Sequence, residues 1–181
     1  VAWIIKTTGI KSHAKILDVG CGVGKHAVAF AKNGFDVTGI DVSRIFLKQA
    51  ALLASQEKVL LKLKHLPMHL LSYKEEFNLV TSLFTSFGYY SPRSRNLVIF
   101  KRMAKALKPG GMMVLDATYR EAIERYFQPK TWRILDDGSF VLEKRIYSRK
   151  RKQIYNDWLY VDGKRRKHYR FNLHLFSIKE F

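Results

Sequence analysis

Asp18-Val19-Gly20-Cys21-Gly22-Val23-Gly24 places three glycines at alternate positions between the apolar run KILDV (15–19) and the amphipathic stretch KHAVAFAK (25–32). Backbone at such glycines can bend sharply and approach a ligand with no Cβ in the way, and N–H groups at a following helix start face that ligand. A nucleotide diphosphate site spaces its glycines G-x-G-x-x-G. Here the third glycine arrives one residue early and is followed by Lys25 and His26. Seventeen residues beyond Gly24, Asp41 ends the β-branched run FDVTGID, where its carboxylate can accept both hydroxyls of an adenosine ribose. The residue types therefore point to an adenosine-bearing ligand without a pyrophosphate. His26, at the expected helix start, is a minor candidate for contact with such a ligand.

The elements that must position these residues follow from periodicity. Strand, glycine turn and helix are expected over 15–32, and Asn33-Gly34 stops the helix before a second strand ends at Asp41. Ser43 can cap a helix through Ile45 to Ala54, and Val59 to Leu63 makes a third apolar run. Phe77 to Phe84 reads as a fourth strand. Leu97, Phe100, Met103, Ala104 and Leu107 recur at helical intervals before Lys108-Pro109-Gly110-Gly111, and Met112 to Ala117 makes a fifth strand. Strands alternating with helices require crossover connections, so residues 1–118 are expected to form an α/β core: a Rossmann-like parallel sheet with helices on both faces. Beyond Tyr119 one short helix is expected over Arg120 to Phe127. Asp137-Gly138 and Asp162-Gly163 then punctuate the runs SFVLEKRIY, QIYNDWLYV and HYRFNLHLF, which read as an antiparallel β-hairpin insert near the C-terminus. Residues 119–181 are expected to belong to the same domain and to cover its substrate side.

The segment ILDVGCGVGKHAVAFAKNGFDVTGIDVS resembles the first two motifs of class I S-adenosylmethionine-dependent methyltransferases. EFNLVTSLFTSFGYY and LKPGGMMVLDA are similar to that family's fourth and fifth strand regions, and the hairpins after Trp132 resemble the inserted sheet of a small-molecule subgroup. The resemblance implies S-adenosylmethionine as cofactor. It implies that Gly20, Cys21, Gly22 and Gly24 line it, that Asp18 helps hold its amino-acid end, and that Asp41 takes the ribose. Val42 and Leu83 complete the candidate cofactor contacts with His26. Two departures accompany the match: the position that is often acidic after the third strand is Lys62, and the sequence stops before the family's closing helix and strand pair.

Other residues carry weaker signals. Thr85 to Tyr90 follow the fourth strand and should border a reaction chamber, because ligands gather at the carboxyl ends of parallel strands. Phe87, Tyr89, Tyr90 and Tyr119 are the substrate-side candidates, and Tyr119 or a histidine is a candidate general base; no catalytic residue is assigned. Cys21 reads as a small residue of the tight turn, with no base identifiable beside it. His65 and His69 are separated by Pro67, so no metal site is expected among the six histidines.

Net charge is +18, and Lys144 to Arg170 alone holds 11 basic and 2 acidic residues. That density points either to a solvated face or to attraction for phosphates. Three functions are consistent with these features: methyl transfer to a small molecule, RNA methylation using the basic ribbon, or a non-catalytic binding domain that keeps the fold. No apolar stretch is long enough to span a bilayer, and a lone cysteine suits a reducing compartment, so a cytoplasmic protein with no membrane partner is expected. The first residue, Val, and the final SIKEF suggest a fragment.

Overall fold

Ile16, Leu17 and Val19 are wholly inaccessible to solvent, which marks β1 (Lys15–Val19) as a strand covered on both faces. In the computed structural model, which describes residues 1–180, it lies at the centre of a parallel sheet. β2 (Asp36–Asp41) pairs with it on one side and β4 (Phe77–Ser82) on the other. β3 (Lys62–His65) and β5 (Leu107–Leu115) form the outer edges, and the order is β3-β2-β1-β4-β5. Strand order reverses between β1 and β4, so the carboxyl ends of those two strands flank the crevice of the sheet.

Capping chemistry fixes where the helices begin and end. α1 (Ala2–Thr8) stops at Gly9, whose left-handed conformation returns its N–H to the Ile5 carbonyl. α2 (Lys25–Lys32) starts directly from Gly24, and α3 (Arg44–Gln56) is capped by Ser43, whose Oγ accepts from the Phe46 N–H at 3.2 Å. α4 (Arg93–Ala106) buries Ile99 and Met103. Ile4, Ile16, Ala27, Phe30, Phe35, Val37 and Leu79 make one apolar cluster, with the Phe30 and Phe35 rings edge to face at 6.3 Å.

These elements form the first of two compact units, Val1–Phe87 with Ser94–Ala117. The second takes Gly88–Arg93 and the chain from Thr118 onward. It holds α5 (Arg120–Tyr126) and an antiparallel sheet of β6 (Lys130–Ile134), β7 (Phe140–Ser148), β8 (Gln153–Asp162) and β9 (Arg165–His174), in that order. Gly88–Arg93 joins it because the His174 N–H donates to the Gly88 carbonyl at 2.9 Å and Arg93 pairs with Glu180 at 2.8 Å. Glu180 also holds Arg120 and Lys152.

The parallel α/β sheet and the antiparallel insert are as the sequence predicts, with three local differences. The third strand spans Lys62–His65, where the apolar run placed it at Val59 to Leu63. Val59 is consumed in closing α3, its N–H bonding to the Ala54 carbonyl, and on an edge strand the ladder is set by pairing with Thr38–Asp41 rather than by burial. The fifth strand begins at Leu107, but its pairing is interrupted between Leu107 and Met112, so Lys108–Gly111 still breaks the ladder. α1 and β6 carry too little periodicity to be read in advance. Among the described residues no helix is long and apolar enough to cross a membrane.

Close packing around one glycine gives a stability prediction. Gly24 has φ +82°, and a Cβ there would lie 2.8 Å from the Ala50 Cβ, whereas Gly34, also at φ +82°, has open space. Gly24→Ala is expected to destabilise by about 1–3 kcal/mol more than Gly34→Ala, the extra being overpacking. Urea unfolding of the two variants, compared at equal slope, checks this.

Candidate functional site

The glycine turn owes its shape to alternating left-handed backbone: Gly20 has φ +75°, Gly22 +54° and Gly24 +82°. Only glycine takes such angles repeatedly at little cost, so the G-x-G-x-G spacing is a conformational requirement. The turn is pinned to β2 at its start, where the N–H groups of Gly20 and Cys21 both donate to the Ile40 carbonyl at 2.9 and 3.0 Å. It is pinned again through Asp41. Asp41 Oδ2 accepts from the Gly22 N–H at 2.9 Å, and Oδ1 accepts from the Ser43 N–H at 2.8 Å. Each oxygen retains acceptor capacity for a ligand hydroxyl.

Around this turn the first unit holds a cavity of about 440 Å³, a size ordinary for a small-ligand site. Asp18, Gly20, Cys21, Gly22, His26, Asp41 and Leu83 line it, together with Val23, Lys25, Phe46, Phe84 and Ser86. A Cβ at Gly22 would meet no protein atom within 4 Å, so the space beside it is free for a ligand. Gly24 instead faces Ala50. Val42 is exposed and is not among the lining residues; its carbonyl contacts the His65 ring at 2.9 Å, and Phe46 supplies the apolar surface at the cavity wall.

Asp18 is the unusual charge. Its Oδ1 accepts from the Thr81 hydroxyl at 2.9 Å, while Oδ2 is buried without a partner. Burial pushes its carboxyl up to about 6, against the pull of the Thr81 hydroxyl and with the Asp41 charge adding to the rise. Burial likewise pushes the Cys21 thiol up to about 12, so it carries no thiolate at neutral pH and serves as a small filler. Gly39 makes room for it: a Cβ at Gly39 would sit 2.9 Å from the sulfur. Burial lowers His26 below its ordinary value, disfavouring the charged ring. Among the described residues no three His, Cys, Asp or Glu side chains gather as a metal site.

Several parts of the site were not legible beforehand. Thr81 is one, since a strand threonine is ordinary until its partner is known. Phe84 is another, with φ +55°, and so is the left-handed backbone of Thr85 beside it at φ +60°, angles that such residues rarely adopt. Asp116 holds them there, its carboxylate accepting from the Phe84 N–H at 3.0 Å and its carbonyl from the Thr85 N–H at 3.2 Å. Ser86 hydroxyl donates to the Gly20 carbonyl at 3.2 Å, tying this loop to the glycine turn.

Phe87 is 1% exposed, belongs to the core and is not among the residues that line this cavity. Tyr89, Tyr90 and Tyr119 are in the second unit, where the Tyr89 ring meets Phe171 at 5.7 Å and Tyr119 bridges to Phe176. Lys62 is paired with Asp36 at 2.7 Å at the amino end of β2, away from the carboxyl-end turn, so it occupies no position facing a ligand there.

With this geometry in place, comparison with known proteins settles the family. A model described as the methyltransferase domain matches residues 16–111, more than half of the chain. The chain belongs to that family. A methyltransferase of Geobacillus sp. (strain WCH70) is 33% identical over 124 residues, covering 68% of this chain and 50% of that protein. A ubiquinone biosynthesis O-methyltransferase of Psychrobacter arcticus is 36% identical over 110 residues, covering 59% of this chain and 41% of that protein. The chain thus spans about half the length of the curated relatives it matches. Among solved structures, an S-adenosylmethionine-dependent methyltransferase of Clostridium acetobutylicum superposes with a TM-score of 0.80 at 16% identity, over 99% of this chain and 73% of that one. The sugar N-methyltransferase KedS8 of Streptoalloteichus gives 0.76 at 18%, with the same coverage of both chains. At these identities the likeness shows a shared fold.

The raised Asp18 value predicts a pH signature. A carboxyl held above its ordinary 3.8 costs folding free energy when ionised, at most about 3 kcal/mol, with the cost arising between pH 3.8 and about 6 and absent below. Asp18→Asn is therefore expected to unfold at higher denaturant concentration than the native protein at about pH 8, with the two converging near pH 4. Denaturant titrations across that range check it.

Proposed function

We propose that the cavity binds S-adenosylmethionine and that the protein transfers its methyl group, by in-line displacement, to a small-molecule acceptor. The observation that carries this reading is the buried, unpaired Asp18 oxygen in a cavity whose other carboxylate, Asp41, lies across the glycine turn. Two carboxylates in one cavity favour a ligand bearing an ammonium for Asp18 and a ribose diol for Asp41. They oppose a pyrophosphate, whose charge has the same sign as both.

Bound there, the cofactor would supply an electrophilic methyl group on a sulfonium, so the chain needs no nucleophile of its own. Its part is positioning and exclusion of water. Asp18 would hold the amino-acid end, and its remaining charge would be satisfied by an ammonium. Asp41 would orient the ribose through oxygens already fixed by two backbone N–H groups. Gly22 would leave room for the ligand, and Leu83 and Phe46 would supply apolar walls. The names of the relatives and fold neighbours, which include ubiquinone biosynthesis O-methyltransferases and a sugar N-methyltransferase, support a small-molecule acceptor.

Calorimetric titration with S-adenosylmethionine and NAD side by side tests the reading: the first is expected to bind and the second not, and the reverse would overturn it. Asp41→Ala is expected to weaken cofactor binding by about 1–3 kcal/mol, the usual cost of losing hydrogen bonds to a charged acceptor. Gly22→Val should weaken it further by filling ligand space. Because an ammonium needs ionised Asp18, affinity should fall below about pH 6, approaching about tenfold per pH unit, and Asp18→Asn should flatten that profile.

A further inference from the structure

The sheet of the second unit has two unlike faces. Alternation along β7 and β8 buries Val141, Glu143, Ile154 and Asn156. Ile154 and Leu173 pack with Leu175, Ile123 and Tyr147, and Glu143 is held between Arg133 and Arg145. The opposite face leaves large apolar side chains in solvent, Trp132 at 64% and Ile146 at 58% exposure among them, with Phe140 and Leu142.

Register orders this open face into three cross-strand rows. One is Trp132, Leu142, Leu159 and His168; its neighbours are Lys130, Lys144, Asp157 and Arg170 on one side and Ile134, Phe140, Val161 and Arg166 on the other. Each row ends on β9 in a basic residue. A groove of about 400 Å³ follows the middle of the face, lined by Lys130, Trp132, Leu142, Lys144, Leu159 and His168 together with the carboxylates Asp157 and Glu143, the latter already paired with Arg133 and Arg145. Asp157 is the one carboxylate in these rows, and His168 at 3.4 Å and Arg170 at 3.3 Å take its two oxygens. The face is therefore cationic and apolar together.

Charge on an edge strand discourages strand-to-strand aggregation, which explains basic residues on β9. It does not explain exposed Trp132 and Phe140 on β6 and β7, beside Lys130 and Lys144. A second copy of the chain would cover the apolar rows but would set like charges against each other. An occupant with flat apolar rings and regularly spaced negative charge satisfies both parts of the face. Stacking of bases on exposed aromatics, with phosphates on flanking cations, is how sheets bind unpaired strands, whereas a duplex hides its base faces.

We propose that this face binds single-stranded nucleic acid, with a base stacked on Trp132 over Leu142 and Leu159 and with phosphates on Lys130, Lys144 and the β9 cations. The proposal stands apart from the cofactor reading, since none of these residues lines the glycine-turn cavity.

Fluorescence anisotropy of the whole chain with labelled 12-nucleotide single strands of RNA and of DNA, and with a 12-base-pair duplex, tests it. Single strands are expected to bind at 50 mM salt and to weaken roughly 15- to 60-fold at 200 mM, as for about three to four neutralised phosphates. Trp132→Ala and Lys144→Glu should each lower affinity about tenfold, with S-adenosylmethionine titrations unchanged. Tighter binding of the RNA or of the DNA strand identifies which is the natural occupant. No binding at 50 mM salt, equal binding of the duplex, or affinity unaffected by either substitution would overturn the proposal. So would a dimer in sedimentation that Trp132→Ala converts to monomer, because the face would then be an interface between copies.

Discussion

The Asp41 carboxylate bridging two backbone N–H groups is the interaction on which the site depends. By accepting from Gly22 it holds the glycine turn open, and by accepting from Ser43 it fixes the entry to α3, whose first turn Ser43 then caps. One side chain at the end of β2 thus sets the relation between the turn, the strand and the next helix. Because both donors are main-chain groups of adjacent elements, the carboxylate is rigid before any ligand arrives. A preorganised acceptor loses little freedom when a hydroxyl binds it.

The turn itself stores its strain in residues chosen to bear it. Three glycines take the left-handed angles, and neighbouring side chains fit only where a Cβ is missing: Gly39 admits the Cys21 sulfur, and Gly20, itself in the turn, lies against Ser86. On the far side of the cavity the same conformational demand falls on Phe84 and Thr85, which are not glycines. There Asp116 compensates through two hydrogen bonds. Strain of this kind persists only where surrounding contacts over-determine it, and both instances border the same cavity.

Electrostatics divides the molecule's chemistry into two kinds of place. The cavity gathers carboxylates, one of them buried and short of a partner, in a chain whose net charge is +18. The open face of the second unit's sheet gathers cations beside apolar rings.

Much of the first unit was legible from its residues. Strand, glycine turn and helix, the acidic Asp41 at the end of its strand and the Ser43 cap are local devices, each specified by residues within a few positions of one another. The basic, hairpin-rich ending was legible for the same reason, from alternation and Asp-Gly turns. What tertiary structure decided is everything that depends on partners distant in sequence. That Thr81 holds Asp18 across 63 positions, that Ser86 reaches Gly20, that Phe87 is core while Phe84 is wall, and that Gly88–Arg93 packs with the second unit follow from strand order and packing. The elevated carboxyl of Asp18 belongs to this group as well. An aspartate's affinity for its proton is set by the solvent and charges that surround it once the chain has closed, and no local pattern encodes them.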